Sequence, residues 1–95
     1  MNNKYEALYI LRADLSEEAI ASAVAKYEKV VADFKGEVEK TDKWGLKRLA
    51  YPINFKNEGF YVLTAFSAPS DAPAELERQM KLSDEVLRYI VVKKD

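Results

Sequence analysis

The sequence of 95 residues contains no cysteine and no histidine. The first absence excludes disulfides and thiolate chemistry, and the second excludes catalysis by an imidazole, so neither a Cys/His zinc site nor a Ser-His-Asp triad is available. Glycine and proline are scarce, at three residues each, which indicates that most of the chain is regular structure. No apolar run approaches the roughly 18 residues of a membrane-spanning helix, and the first residues do not resemble a signal peptide.

The composition that remains is typical of a folded domain. Hydrophobic residues make up 48% of the chain and charged residues 33%. The length allows one hydrophobic core, so we predict a single domain spanning residues 1–95. The formal net charge is −1, so the chain-wide basic excess typical of nucleic-acid-binding proteins is missing. The absence of cysteine is compatible with the cytoplasm.

The first half of the chain predicts a strand followed by an amphipathic helix. Residues 5–11 are aromatic and aliphatic and favour a strand. Asp14 is expected to cap the start of the helix, with the Glu17 side chain accepting a hydrogen bond from the Asp14 backbone N–H. Gly36 is expected to end the helix in a left-handed conformation. Apolar residues between them recur at spacings of three and four, which places them on one helix face: Ile20, Val24, Tyr27, Val31 and Phe34.

The second half predicts a hairpin, a helix and a last strand. A long strand over residues 37–51 is expected to bulge near Gly45 and to lose its ladder at Pro52. A polar turn over 54–58 leads into a strand over 59–67. A helix then begins at Asp71, tolerates Pro73 in its first turn and packs through Leu76 and Met80. The last strand covers residues 86–93.

The order β-α-β-β-α-β predicts an α+β fold of the ferredoxin-like, split βαβ kind. Its four-stranded antiparallel sheet has two helices on one face and leaves the other face bare. Strand alternation then assigns each side chain to a face. We expect the helix side to hold Ala7, Tyr9, Leu11, Phe60, Val62, Thr64, Phe66, Tyr89 and Val91, and the bare side to hold Leu8, Ile10, Tyr61, Leu63, Ile90 and Val92.

Charge is unevenly distributed along the chain. Residues 13–39 carry three lysines against seven carboxylates, and residues 71–85 carry two cations against five carboxylates. Residues 40–56 carry five cations against one carboxylate. We therefore expect an acidic helical layer and a basic sheet and hairpin. A basic surface beside apolar residues is typical of a site for nucleic acid or a protein partner.

The sequence contains no recognisable catalytic or nucleotide-binding motif. Neither GxGxxG nor GxxxxGK[ST] occurs, the carboxylates lie at helical surface spacings, and no serine has an imidazole to activate it. The third-strand signature of an RNA-recognition motif is matched only faintly by residues 57–62. We therefore predict a protein that is not an enzyme and has no cofactor, metal or catalytic residue. A small-molecule-sensing regulatory domain and a protein-interaction domain, such as a homodimeric adaptor, remain alternatives.

The whole chain resembles one known family. Residues 44–53 (WGLKRLAYPI), the continuation Asn57-Glu58-Gly59-Phe60-Tyr61, the opening Tyr5-Glu6 and the ending Val91-Val92-Lys93-Lys94 resemble the bacterial small-subunit (30S) ribosomal protein S six family. This resemblance implies a ribosomal location in the cytoplasm and binding to the central domain of small-subunit ribosomal RNA. It also implies a heterodimer with the small-subunit protein numbered eighteen, and a role in assembly.

Two sets of residues are candidates for these contacts. Cations in the motif and at strand ends are expected to contact RNA phosphates: Lys47, Arg48, Lys56, Arg12, Arg88, Lys93 and Lys94. Apolar residues of the bare face and the bulge are expected to contact the protein partner: Leu8, Ile10, Trp44, Leu63, Ile90 and Val92.

Overall fold

The computed structural model describes residues 2–53 and 56–94, without the side chains of residues 50–53 and 56. It contains the six expected elements in the expected order. Their bounds are β1 Asn3–Arg12, α1 Glu17–Asp33, β2 Glu37–Ile53, β3 Lys56–Ala68, α2 Ala72–Leu82 and β4 Val86–Lys94.

The strands form one antiparallel sheet in the order β2-β3-β1-β4. Both helices pack on the same face of it, because the buried residues of α1 and α2 join one core with alternate residues of β1 and β3. Tyr9, Leu11, Val62 and Phe66 are completely buried there. The predicted ferredoxin-like fold is confirmed.

The predicted ends of α1 are wrong in detail. The helix is capped by Ser16, whose hydroxyl accepts a hydrogen bond from the backbone N–H of Ala19 at 3.1 Å. Asp14 instead accepts two hydrogen bonds from the Arg12 guanidinium. At the other end the left-handed residue is Lys35, with φ of 61°, and not Gly36.

The strands of the β2–β3 hairpin are longer than the sequence predicts. The bulge near Gly45 is confirmed by a register shift between Lys43 and Gly45. However, β2 continues through Pro52 to Ile53, and β3 begins at Lys56 instead of Gly59. Proline is compatible with β2 because β2 is an edge strand, in which only part of the backbone N–H groups take part in a ladder.

Among the described residues, the core contains hydroxyl groups from the neighbouring strands β1 and β3. The hydroxyls of Tyr9 and Thr64 are both buried, and neither makes a hydrogen bond of good geometry. Burial raises the pKa of Tyr9, and the neighbouring Thr64 hydroxyl opposes that rise.

Gly36 is required by close packing and not by its backbone conformation. A Cβ atom there would lie 2.6 Å from the Ser67 carbonyl oxygen and 2.9 Å from Cγ1 of Val31. We expect Gly36→Ala to lower the free energy of unfolding by about 2–3 kcal/mol, measured by urea denaturation. Gly45→Ala is the control, because its Cβ would meet nothing within 4 Å and only its φ of 88° opposes alanine. That strain costs about 1–2 kcal/mol, and a Gly36→Ala variant as stable as the parent would contradict the packing argument.

The raised pKa of Tyr9 leads us to expect a loss of stability at alkaline pH. Its folded-state pKa lies above the unfolded value of about 10, so the unfolded chain releases this proton first. The contribution of Tyr9 to the free energy of unfolding is therefore fully present below pH 10. It is lost as the pH rises through the folded-state pKa, by at most about 1.4 kcal/mol per pH unit. We expect Tyr9→Phe to be nearly neutral at pH 7 and to lose less stability between pH 10 and 11, measured by urea denaturation. An unchanged pH dependence in Tyr9→Phe would show that another group is responsible.

Candidate functional site

The candidate site is the sheet face opposite the helices, called the open face below. The strand registers arrange it in rows that cross the sheet. From one end to the other the rows are Arg12–Gly59–Lys47, Arg88–Ile10–Tyr61–Gly45, Ile90–Leu8–Leu63–Asp42, Val92–Glu6–Ala65–Lys40 and Lys94–Lys4–Ser67–Glu37. The predicted assignment of side chains to the two faces is confirmed for β1, β3 and β4.

The middle of the open face is apolar. Ile90 and Val92 are 56% and 40% exposed, whereas Leu8 and Leu63 are half-buried by their neighbours. Ile10 is buried although it lies on the uncovered side, because its Cγ2 atom lies over Gly59, where the absence of a Cβ makes room. Leu8, Ile10 and Ile90, with Arg88 and Tyr89, line a shallow depression of about 190 Å³.

An aromatic pair borders this apolar centre at the β2 bulge. The Trp44 and Tyr61 rings are nearly parallel, at 9°, with centroids 6.3 Å apart. The bulge directs Trp44 onto the open face, where it is 45% exposed. The Lys47 ammonium lies 5.6 Å from the centroid of the indole ring, within range of a cation–π contact.

One end of the open face is cationic. Arg12 and Lys47 share a row with Gly59 between them, and Arg88 lies in the next row. The Asp14 carboxylate contacts the Arg12 guanidinium at 2.7 Å and raises its pKa, chiefly through the hydrogen bond. This pair is exposed enough that a phosphate could compete with Asp14 for the guanidinium.

At the other end of the face, cations are neutralised by carboxylates. Ion pairs join Lys94 to Glu6 at 3.6 Å, Lys40 to Asp42 at 3.1 Å and Lys4 to Glu39 at 3.7 Å. Lys94, a predicted RNA contact, therefore lies across the apolar centre from Arg12 and Lys47.

The structure does not bring the other candidate cations into this group. Arg48 follows Lys47 in β2 and so points to the helix side, and Lys93 pairs with the inward-facing Tyr5. The side chain of Lys56 lies outside the described residues. Lys43 also lies on the helix side, beside Glu17. The expected separation of charge into an acidic layer and a basic layer is therefore wrong in part, because the cations of β2 alternate between the faces.

Two side chains of the hairpin, Leu46 and Leu49, were not assigned to a face by the sequence. Leu49 lies beside Ile10 over Gly59. Leu46 is 57% exposed on the helix side, opposite Phe60. Strand alternation correctly assigned Tyr61 to the open face, whereas the faces of Leu46 and Leu49 depend on the residue inserted at the bulge.

Over residues 2–53 and 56–94, no group of three or more acidic residues is arranged to hold a metal ion. No helix in that part of the chain is long and apolar enough to cross a membrane.

Comparison with known proteins assigns the chain to a family. The family model described as Ribosomal protein S6 matches residues 4–93. The chain belongs to the ribosomal protein S6 family. This is a family of structural proteins of the small ribosomal subunit and not a class of enzymes, and it agrees with the expected location on the cytoplasmic ribosome.

Relatives and a solved structure support the family along the whole chain. The chain is 47% identical over 88 residues to small ribosomal subunit protein bS6 of Clostridium novyi (strain NT), covering 93% of each chain. It is 43% identical over 91 residues to the bS6 protein of Alkaliphilus oremlandii (strain OhILAs), covering 96% of each. The crystal structure of 30S ribosomal protein S6 from Thermotoga maritima is similar with a TM-score of 0.92 and 25% identity, over 99% of this chain and 89% of that one.

Proposed function

We propose that this member of the ribosomal protein S6 family binds the central domain of small-subunit ribosomal RNA jointly with the small-subunit protein numbered eighteen, and so aids assembly. One observation carries the proposal. On the open face, an uncovered apolar centre lies directly beside a cationic end. The first suits a protein partner and the second suits an RNA backbone.

In this proposal, RNA contacts the cationic end of the open face. Arg12, Lys47 and Arg88 occupy adjacent rows, so one strand of phosphates can run across all three. Contacts of this kind position a protein without reading the bases. Arg48 and Lys56 extend the contact around the hairpin, and Lys93 and Lys94 supply separate contacts at the far end of β4.

The protein partner covers the apolar centre. Leu8, Ile10, Leu63, Ile90 and Val92 form a continuous patch, and Trp44 borders it with an aromatic ring supported from below by Tyr61. An exposed aromatic next to aliphatic residues is the composition of an interface centre. Burying this surface removes apolar area from water, at roughly 25 cal/mol for each Å².

The RNA contact and the protein contact are adjacent on the open face, so each is expected to strengthen the other. With a net charge of −1, the chain attracts RNA only through its local cations, so we expect weak binding by the chain alone. A partner seated on the apolar centre adds its own cations beside Arg12 and Arg88. Joint binding is therefore stronger than the binding of either protein.

The test is a gel shift of central-domain RNA with and without the partner, over a series of salt concentrations. We expect the triple variant Arg12→Gln, Lys47→Gln, Arg88→Gln to weaken joint binding and to reduce the slope of log K against log salt by about 0.7–0.9 for each lost contact. Asp14→Asn should strengthen binding by about two- to threefold, because it frees the Arg12 guanidinium from an exposed pair.

The control triple Lys26→Gln, Lys29→Gln, Lys81→Gln removes three exposed cations from the helical layer and changes the net charge equally. Equal losses in the two triples would show that only net charge matters and would overturn the site. The single variants Lys47→Gln and Arg48→Gln then compare neighbours on opposite faces. A loss confined to Lys47→Gln restricts RNA to the open face, and losses in both support contact around the hairpin.

A further inference from the structure

The two edges of the sheet differ in how well they resist pairing with another strand. The edge strand β2 has three register shifts and contains Pro52, all of which interrupt a continuous outer ladder. The opposite edge strand, β4, pairs with β1 through seven consecutive residues, from Arg88 to Lys94, without a shift. Its one irregularity lies before them, between Val86 and Arg88.

The outer side of β4 has no strand partner in the described part of the chain. Its central residues Tyr89–Val92 are strongly β-prone, with Ile90 and Val92 exposed on the open face. Natural proteins usually blunt such an edge with bulges or proline, as β2 does, or with charged side chains, of which β4 has Arg88, Lys93 and Lys94. A regular edge protected only by cations is therefore open to an added strand of opposite charge.

A depression beside this edge provides a second requirement of strand addition. In that mode, main-chain hydrogen bonds give affinity and small pockets for alternate side chains give specificity. The depression lined by Leu8, Ile10, Arg88 and Ile90 opens on the open face along β4 and has room for one aliphatic side chain. A strand added to β4 would point every second side chain toward that face.

The charges of β4 indicate which kind of strand can pair with its outer edge. Residues 86–94 contain three cations, Arg88, Lys93 and Lys94, and no carboxylate, and the cations flank the apolar centre at both ends. A second copy of this chain pairing through β4 would place six cations along one seam, which is unfavourable. An extended segment with carboxylates at its ends would instead add an opposite charge beside each cation, in competition with Glu6 at the exposed Lys94 pair.

We propose that the outer edge of β4 binds an extended segment of a partner protein, apolar at its centre and acidic at its ends, which adds a fifth strand to the sheet. The apolar centre of the segment directs one side chain over the exposed Ile90 toward the depression, which lies between β1 and β4. This contact goes beyond the proposed RNA-binding role, because it requires neither RNA nor the cations Arg12 and Lys47 on the other strands.

The test is an NMR titration of the chain, labelled with ¹⁵N and ¹³C, with two blocked peptides. Both have the centre Val-Leu-Val-Leu, flanked on each side by two glutamates in one peptide and by two lysines in the other. We expect the acidic peptide to shift the amides of residues 88–94 and the methyl groups of Leu8 and Ile90. It should bind at least about fivefold tighter than the basic peptide, as expected for one to two favourable cross-strand charge pairs.

Charge-reversal variants separate the edge from general attraction. Lys93→Glu should weaken the acidic peptide and strengthen the basic one, while Lys43→Glu, a matched change on the other edge strand, should alter neither. Equal binding of the two peptides, shifts confined to another surface or no binding by either peptide would each overturn the proposal. A dimer paired through β4 in sedimentation experiments would also overturn it. Since no RNA is present, none of these results bears on the gel-shift test.

Discussion

The packing of two helices against one face of a four-stranded sheet determines the rest of this structure. Tyr9, Val62 and Phe66 are fully buried under α1 and α2, and the side chains between them point to the side that neither helix reaches. In the described part of the chain, no further element covers that side. The fold is therefore stabilised through one face and leaves the other available for contacts.

The availability of that face is limited by local packing. Ile10 is withdrawn over Gly59, Trp44 lies against Tyr61, and cations at one end are neutralised by Glu6, Glu39 and Asp42. What remains is a patch of Ile90, Val92 and the neighbouring leucines beside Arg12, Lys47 and Arg88. Apolar and cationic groups placed side by side suit a site where a protein and a phosphate backbone meet. Membership of the ribosomal protein S6 family is consistent with such a site.

Much of this arrangement follows from local sequence patterns. Alternation in β1, β3 and β4 predicted the faces correctly because the less exposed residues of each strand fall at every second position, with Ile10 as the exception. The sequence did not reveal where α1 begins, because Asp14 and Ser16 are both good caps and the choice depends on Arg12 binding Asp14. The sequence was also interpreted as placing Lys47 and Arg48 in one RNA site. Because consecutive residues of a strand point to opposite faces, their side chains lie on different sides of the sheet. The regular edge of β4 becomes visible only by comparison with the interrupted edge of β2.

The most direct measurement of the central claim is hydroxyl-radical oxidation of side chains in the free chain and in intact small ribosomal subunits that contain it. Ile90 and Trp44 on the open face are 56% and 45% exposed, and Leu82 at the end of α2 is 69% exposed. We expect oxidation of Ile90 and Trp44 to fall several-fold in the subunit while Leu82 remains as reactive as in the free chain. Protection of Leu82 with unchanged reactivity of Ile90 and Trp44 would show that the helical side contacts the ribosome, which is the opposite of the arrangement proposed for the open face.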